Sequence, residues 1–147
     1  LTEVKVSSVI DGVCLAITNA FEDAYPVYTD FVEHGFSPGS FYVKMGSFSD
    51  DLFRWNRFRR RHTMLIQYVS DETTEAVEDC WNVANTLRQV LEKIRIGEEL
   101  VEGYGFSAEM YDGVLTVTID YDCFVDKQEE NDPEMNSVET GVKANGE

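Results

Sequence analysis

Apolar side chains recur at Val6, Val9, Ile10, Val13, Ile17 and Phe21, in steps of three and four residues, which gathers them on one face of a helix. Pro26 marks the limit of that helix. Val27, Thr29 and Phe31 then alternate with Tyr28, Asp30 and Val32. Beyond the turn-forming cluster from Gly35 to Ser40, Phe41, Val43 and Met45 alternate with Tyr42 and Lys44. This predicts two strands joined as a hairpin. Segment 46–56 is polar and aromatic without a clear period, and it leads into a strand from Arg57 to Val69. The end of that strand, Met64-Leu65-Ile66-Gln67-Tyr68-Val69, is apolar on both parities, so both of its faces demand cover.

A second helix is predicted over Thr73 to Ile94, with Val77, Cys80, Trp81, Ala84, Leu87, Leu91 and Ile94 on its stripe. Asp71, Glu72 and Glu75 stand at its positive end, and Gly97 closes it. Phe106, Ala108 and Met110 then run into Asp112-Gly113, a favoured two-residue hairpin turn. The return strand sets Leu115, Val117, Ile119, Tyr121, Cys123 and Val125 against Thr116, Thr118, Asp120 and Asp122. One face is core and the other is water. The expected order is α-β-β-β-α-β-β, an α+β fold with an antiparallel or mixed sheet and two helices packed on one face.

Composition adds a boundary. From Asp126 onward seven acids meet two lysines, and Met135, Val138 and Val142 are the only large apolar side chains. They cannot offset the entropy of ordering that stretch. The expectation is one domain over residues 1–125 and a disordered acidic tail over 126–147. The 147 residues hold 28 acids against 12 lysines and arginines, for a formal charge of -16. Such a molecule repels nucleic acid and anionic lipid as a whole. Cys14, Cys80 and Cys123 are an odd, widely spaced set, read as reduced cytoplasmic core residues and neither a disulfide framework nor a zinc site. The longest apolar run, Val13 to Ile17, is too short for a secretion signal or a membrane span.

Chemistry is sparse. His34 and His62 are read as surface histidines, one near a turn and one in an arginine-rich stretch, with no nucleophile placed beside either. Asp120 with Asp122, and Asp50 with Asp51, allow a carboxylate pair or an oxygen-ligand cation site, but acids alternating opposite an apolar stripe are what a solvated sheet face looks like. No phosphate-binding glycine loop is present. The unusual feature is Phe53-Arg54-Trp55-Asn56-Arg57-Phe58-Arg59-Arg60-Arg61, with five basic residues among three aromatics. That mixture suits nucleic acid, and equally a protein interface, where arginine and tryptophan anchor contacts. The acidic charge of the chain favours the interface. Trp55, Arg57, Arg59, Arg61 and Leu65 are its candidate residues, the arginines sharing one side of their strand.

Several stretches taken together resemble the small tail terminator proteins of tailed phages and prophages. They are the leading helix into Phe21-Glu-Asp-Ala-Tyr-Pro-Val-Tyr28, then Val32-Glu-His-Gly-Phe-Ser-Pro-Gly-Ser-Phe-Tyr-Val43, and the arginine-rich approach to Met64–Tyr68. Trp81-Asn-Val-Ala84, Asp112-Gly-Val-Leu115 and Asp120-Tyr-Asp-Cys-Phe124 continue the pattern. The resemblance spans nearly all of residues 3–125. It implies a tail-terminator-like α+β subunit without cofactor or catalytic residue. Such a subunit is assembled in the host cytoplasm and placed in the virion tail, as a hexameric ring between the tail tube protein and the head-tail connector. The alternatives are another head-completion or tube-like protein, and a nucleic-acid-binding module using residues 54–61.

Overall fold

The computed structural model of the chain describes residues 6–22, 24–29 and 35–126. Helix α1 (Val6–Ala20) is followed by strands β1 (Val27–Tyr28), β2 (Ser40–Arg54) and β3 (Arg57–Val69). Helix α2 (Ala76–Val90) precedes β4 (Lys93–Ile96), β5 (Glu99–Tyr111) and β6 (Val114–Asp126). The strands form one mixed sheet in the order β1-β2-β3-β6-β5-β4, with both helices on one face. Val9, Val13 and Ile17 of α1, and Cys80, Val83, Ala84 and Leu87 of α2, are buried against Phe41, Val43, Met64, Ile66, Tyr68, Leu115, Val117, Ile119 and Tyr121. Apart from Val83 these are periodic positions of the sequence, but Val77 and Trp81, expected on the buried stripe of α2, lie outside it at 60% and 45% exposure, because the helix turns Val83 inward in their place. The three-to-four spacing turns one helical stripe inward, and the two-residue spacing turns alternate strand residues toward it.

Three expectations about the elements themselves also need correction. The first two strands do not form a hairpin: β1 pairs parallel to β2, Val27 with Phe41 and Tyr28 with Tyr42. The amide of Phe41 donates to the carbonyl of Pro26 at 2.9 Å. An aromatic cluster draws these ends together, Phe41 lying 5.1 Å from Phe21, 5.8 Å from Tyr25 and 4.8 Å from Tyr68 between ring centroids. The remainder of the expected first strand, Asp30 to Val32, lies outside the described residues, as does His34.

The second helix is shorter than its stripe suggested. It starts at Ala76, on a register fixed by Asp79, whose Oδ2 accepts from Tyr68 Oη at 2.8 Å and Ser70 Oγ at 2.6 Å. It ends at Val90 because the next carbonyls are taken elsewhere: Tyr121 Oη donates to that of Leu91 at 2.6 Å, and the Gly103 amide to that of Glu92 at 2.7 Å. Ile94 belongs instead to β4, where it is buried with Ile96 while Lys93 and Arg95 face out. The order is therefore α-β-β-β-α-β-β-β, and Gly97, with φ of 63°, turns β4 into β5.

Third, residues 46–54, read as without a period, continue β2. The register slips by one between Met45 and Ser47. Before it Phe41, Val43 and Met45 point to the helix side of the sheet, and after it Phe48, Asp50 and Leu52 do, exposed, so a single parity cannot describe the strand. By contrast the β5–β6 turn is as expected: Asp112 and Gly113 have φ of 52° and 79°, the pair of positive values a type I′ turn requires. Residues 127–147, the bulk of the expected acidic tail, lie outside the described residues.

Candidate functional site

Beyond the bulge, β2 and the first half of β3 run past the helical layer as an arm, closed by the pairing of Arg54 with Arg57 and tipped by Trp55 and Asn56. β6 lies along its β3 edge as far as Asp126. On the helix side of the arm the Arg60 guanidinium makes a two-pronged contact with Asp50, Nε to Oδ1 at 2.6 Å and Nη2 to Oδ2 at 2.9 Å. It also lies over the Phe48 ring at 4.7 Å. Its hydrogen bonds hold the Asp50 carboxyl below the usual carboxylate range.

The opposite side carries the arginine row. Arg57, Arg59 and Arg61 share it, as the alternation requires, and each meets an acid of a neighbouring strand. Arg57 is 3.5 Å from Asp126. Arg59 is 3.8 Å from Asp51 and 3.9 Å from Asp122, and Arg61 is 4.0 Å from Asp122. Aromatic rings fill the gaps: Arg57 lies over Phe124 at 4.9 Å, Phe53 packs on Phe124 at 4.9 Å, and Arg61 lies over Tyr104 at 5.9 Å. Tyr104 Oη donates to Asp122 at 2.8 Å, and Thr63 Oγ1 to Asp120 at 2.6 Å. Asp120 and Asp122, read as a solvated face, are thus the counter-charges and acceptors of this surface. Their spacing opposite the arginines becomes visible only once β3 and β6 are known to be neighbours.

Trp55 is 79% exposed and Leu52 63%. Leu65, by contrast, sits in mid-sheet, half-buried between Lys44 and Thr118, and is not brought to the arm. On this open side of the sheet, strand neighbours give Leu65 and Val69 the partial cover that a second layer would otherwise supply.

His62 is not a surface residue. It is fully buried on the helix side of β3, with Nδ1 3.3 Å from the carbonyl oxygen of Tyr121 and no hydrogen-bond partner at Nε2. Burial, assisted by the Arg60 charge, pushes its pKa down. A neutral ring facing a carbonyl carries its proton on Nδ1. Among the described residues no group of three or more His, Cys, Asp or Glu could hold a metal ion, and no helix is long and apolar enough to cross a membrane.

A six-stranded mixed sheet with one helical layer and a projecting arm of paired arginines and acids defines an α+β domain distinguished by a surface and not by a cleft. The family model described as phage tail terminator protein matches residues 8–133, from α1 to beyond the end of β6, and the chain belongs to that family. Its members are structural proteins of the phage tail. No curated protein matches the chain. Among the solved structures that match, one aligns with 82% of this chain and 97% of its own at 14% identity, with a TM-score of 0.36.

Proposed function

We propose that this chain is the ring-forming terminator of a phage tail: it closes, as a hexamer, on the last ring of tail tube protein, stops further polymerisation and offers the head-tail connector its seat. The family membership supports the tail role. The observation that carries the assembly reading is the arm, which holds Leu52, Phe53 and Trp55 in water clear of the helical layer. A monomer gains nothing from exposing large apolar side chains there, whereas a neighbour that covers them does. Trp55 with Arg57, Arg59 and Arg61 supplies contacts to the next subunit or to the tube, and Leu65 lies on the same side of the sheet.

The nucleic-acid alternative loses support from the same geometry. With Asp51, Asp122 and Asp126 within 4.0 Å of the row, phosphates would meet acids wherever they met arginines. Negative-stain imaging of the purified chain at low and high concentration, alongside tails assembled without it, tests the proposal. Rings, and tails of uncontrolled length, are expected. Tails of normal length joined to heads without this chain would sink it, and steeply salt-dependent DNA binding would revive the alternative.

A further inference from the structure

Opposite ends of the sheet carry surfaces of opposite charge, each with exposed apolar side chains at its centre. At the arm tip, Trp55 and Phe53 stand exposed beside Arg54, which takes part in none of the ion pairs among the described residues. At the start of α2, Val77 is 60% and Trp81 45% exposed, one helical turn apart on the outward face. Around them Asp71, Glu72, Glu75 and Glu78 are exposed and likewise enter none of those ion pairs. Four clustered acids that no described cation pairs with repel one another, and a cation brought to them is attracted.

The two surfaces cannot meet within one molecule. The 13 residues of β3 lie between them, about 43 Å at ~3.3 Å per residue. We infer that the arm tip of one copy docks on the start of α2 of a second copy, Trp55 against Val77 and Trp81, with Arg54 facing Glu75 and Glu78. This inference rests on the self-assembly reading above and gives the contact its two sides. Because the sides differ, the contact is head-to-tail, the type that closes into rings or runs on as filaments.

Charge reversal followed by mixing tests it, read by sedimentation velocity on the full chain, with circular dichroism melting as the control for folding. Arg54→Glu places an acid against acids, and the pair Glu75→Arg and Glu78→Arg places bases against a base. Each variant alone should associate about tenfold or more weakly than the unmodified chain. Mixed in equal amounts they should recover, because both contacts of an alternating assembly again join opposite charges. Should a reversal unfold the chain, Trp55→Ser and Val77→Ser read the same contact through its apolar half, and each should weaken association. Variants that assemble like the unmodified chain, or a mixture that does not recover, overturn this inference and leave the ring reading standing. An unmodified chain that stays monomeric at every concentration overturns both.

Discussion

Burial of His62 has a direction in pH. Loss of solvation on burial, with the Arg60 charge, outweighs the Tyr121 carbonyl, Asp50 and Asp122, which favour the charged ring, and leaves its pKa below the ordinary value, which for a free histidine is about 6.5. Above that range both folded and unfolded chains hold it neutral, and stability is full. As the pH falls through it, the unfolded chain takes up a proton that the folded chain refuses, and stability declines, by at most about 1.4 kcal/mol per pH unit from this residue. Thermal melts between about pH 7 and 5 should show the loss, and His62→Phe should flatten it. A wild-type slope that survives the substitution would assign the effect to other groups. Gly103 makes a different demand: a Cβ there would lie 2.6 Å from Ile119 Cδ1, 2.8 Å from Tyr121 Cε1 and 3.0 Å from the Leu91 carbonyl. Gly103→Ala is therefore expected to cost about 1–3 kcal/mol, measured by urea denaturation.

Between elements, α1 comes close to β4, where a Cβ on Gly12 would stand 2.5 Å from the backbone oxygen of Arg95. Backbone does not yield as a side-chain tip does, so Gly12→Ala should lower the denaturation midpoint by pushing helix from strand. This is despite alanine being the better helix former by about 1 kcal/mol. A rise in the midpoint would mean that the contact relaxes freely. Gly12 also shows what a single sequence conceals: in a helical stripe it looks like a weak point, and only the neighbouring strand gives it a reason. Long regular patterns were legible, and α1, β3, β6 and the Asp112-Gly113 turn lie where their spacing put them. What misled was ambiguity of period. Ile94 fits a helical stripe and a two-residue alternation equally well, and tertiary hydrogen bonds to Leu91 and Glu92 decide between them. For the arm, the arginine row and its parity could be read directly, but its acids come from both neighbouring strands, Asp51 on one side and Asp122 and Asp126, more than sixty positions on, on the other, a pairing that no local pattern encodes.

For the molecule as a whole, the arginine row is held by its own acids, so reversing Arg57, Arg59 and Arg61 to Glu would set acid against acid inside the monomer and confuse folding with assembly. Substitution by Gln separates them. The triple Gln variant should lose no more than about 1 kcal/mol per exposed pair in thermal melting, while ring formation or tail completion falls. Unchanged assembly would remove these residues from the contact. The acidic stretch after Asp126 is proposed to be dispensable for folding: a chain ending at Asp126, which retains the partner of Arg57, should melt cooperatively at the temperature of the full chain. Loss of the transition would make that stretch part of the fold. The register slip at Gly46 reaches further than any of these. It changes the parity of β2 alone, since the β3–β6 register runs unbroken from Tyr68 with Leu115 to Arg57 with Asp126. Beyond that slip the arm carries no helix and would serve as a spacer adjustable in length. Two residues added to each of its strands would extend its reach by about 7 Å and return every side chain to its original side, with no core position disturbed. Relatives of this chain are expected to differ in arm length by even numbers per strand.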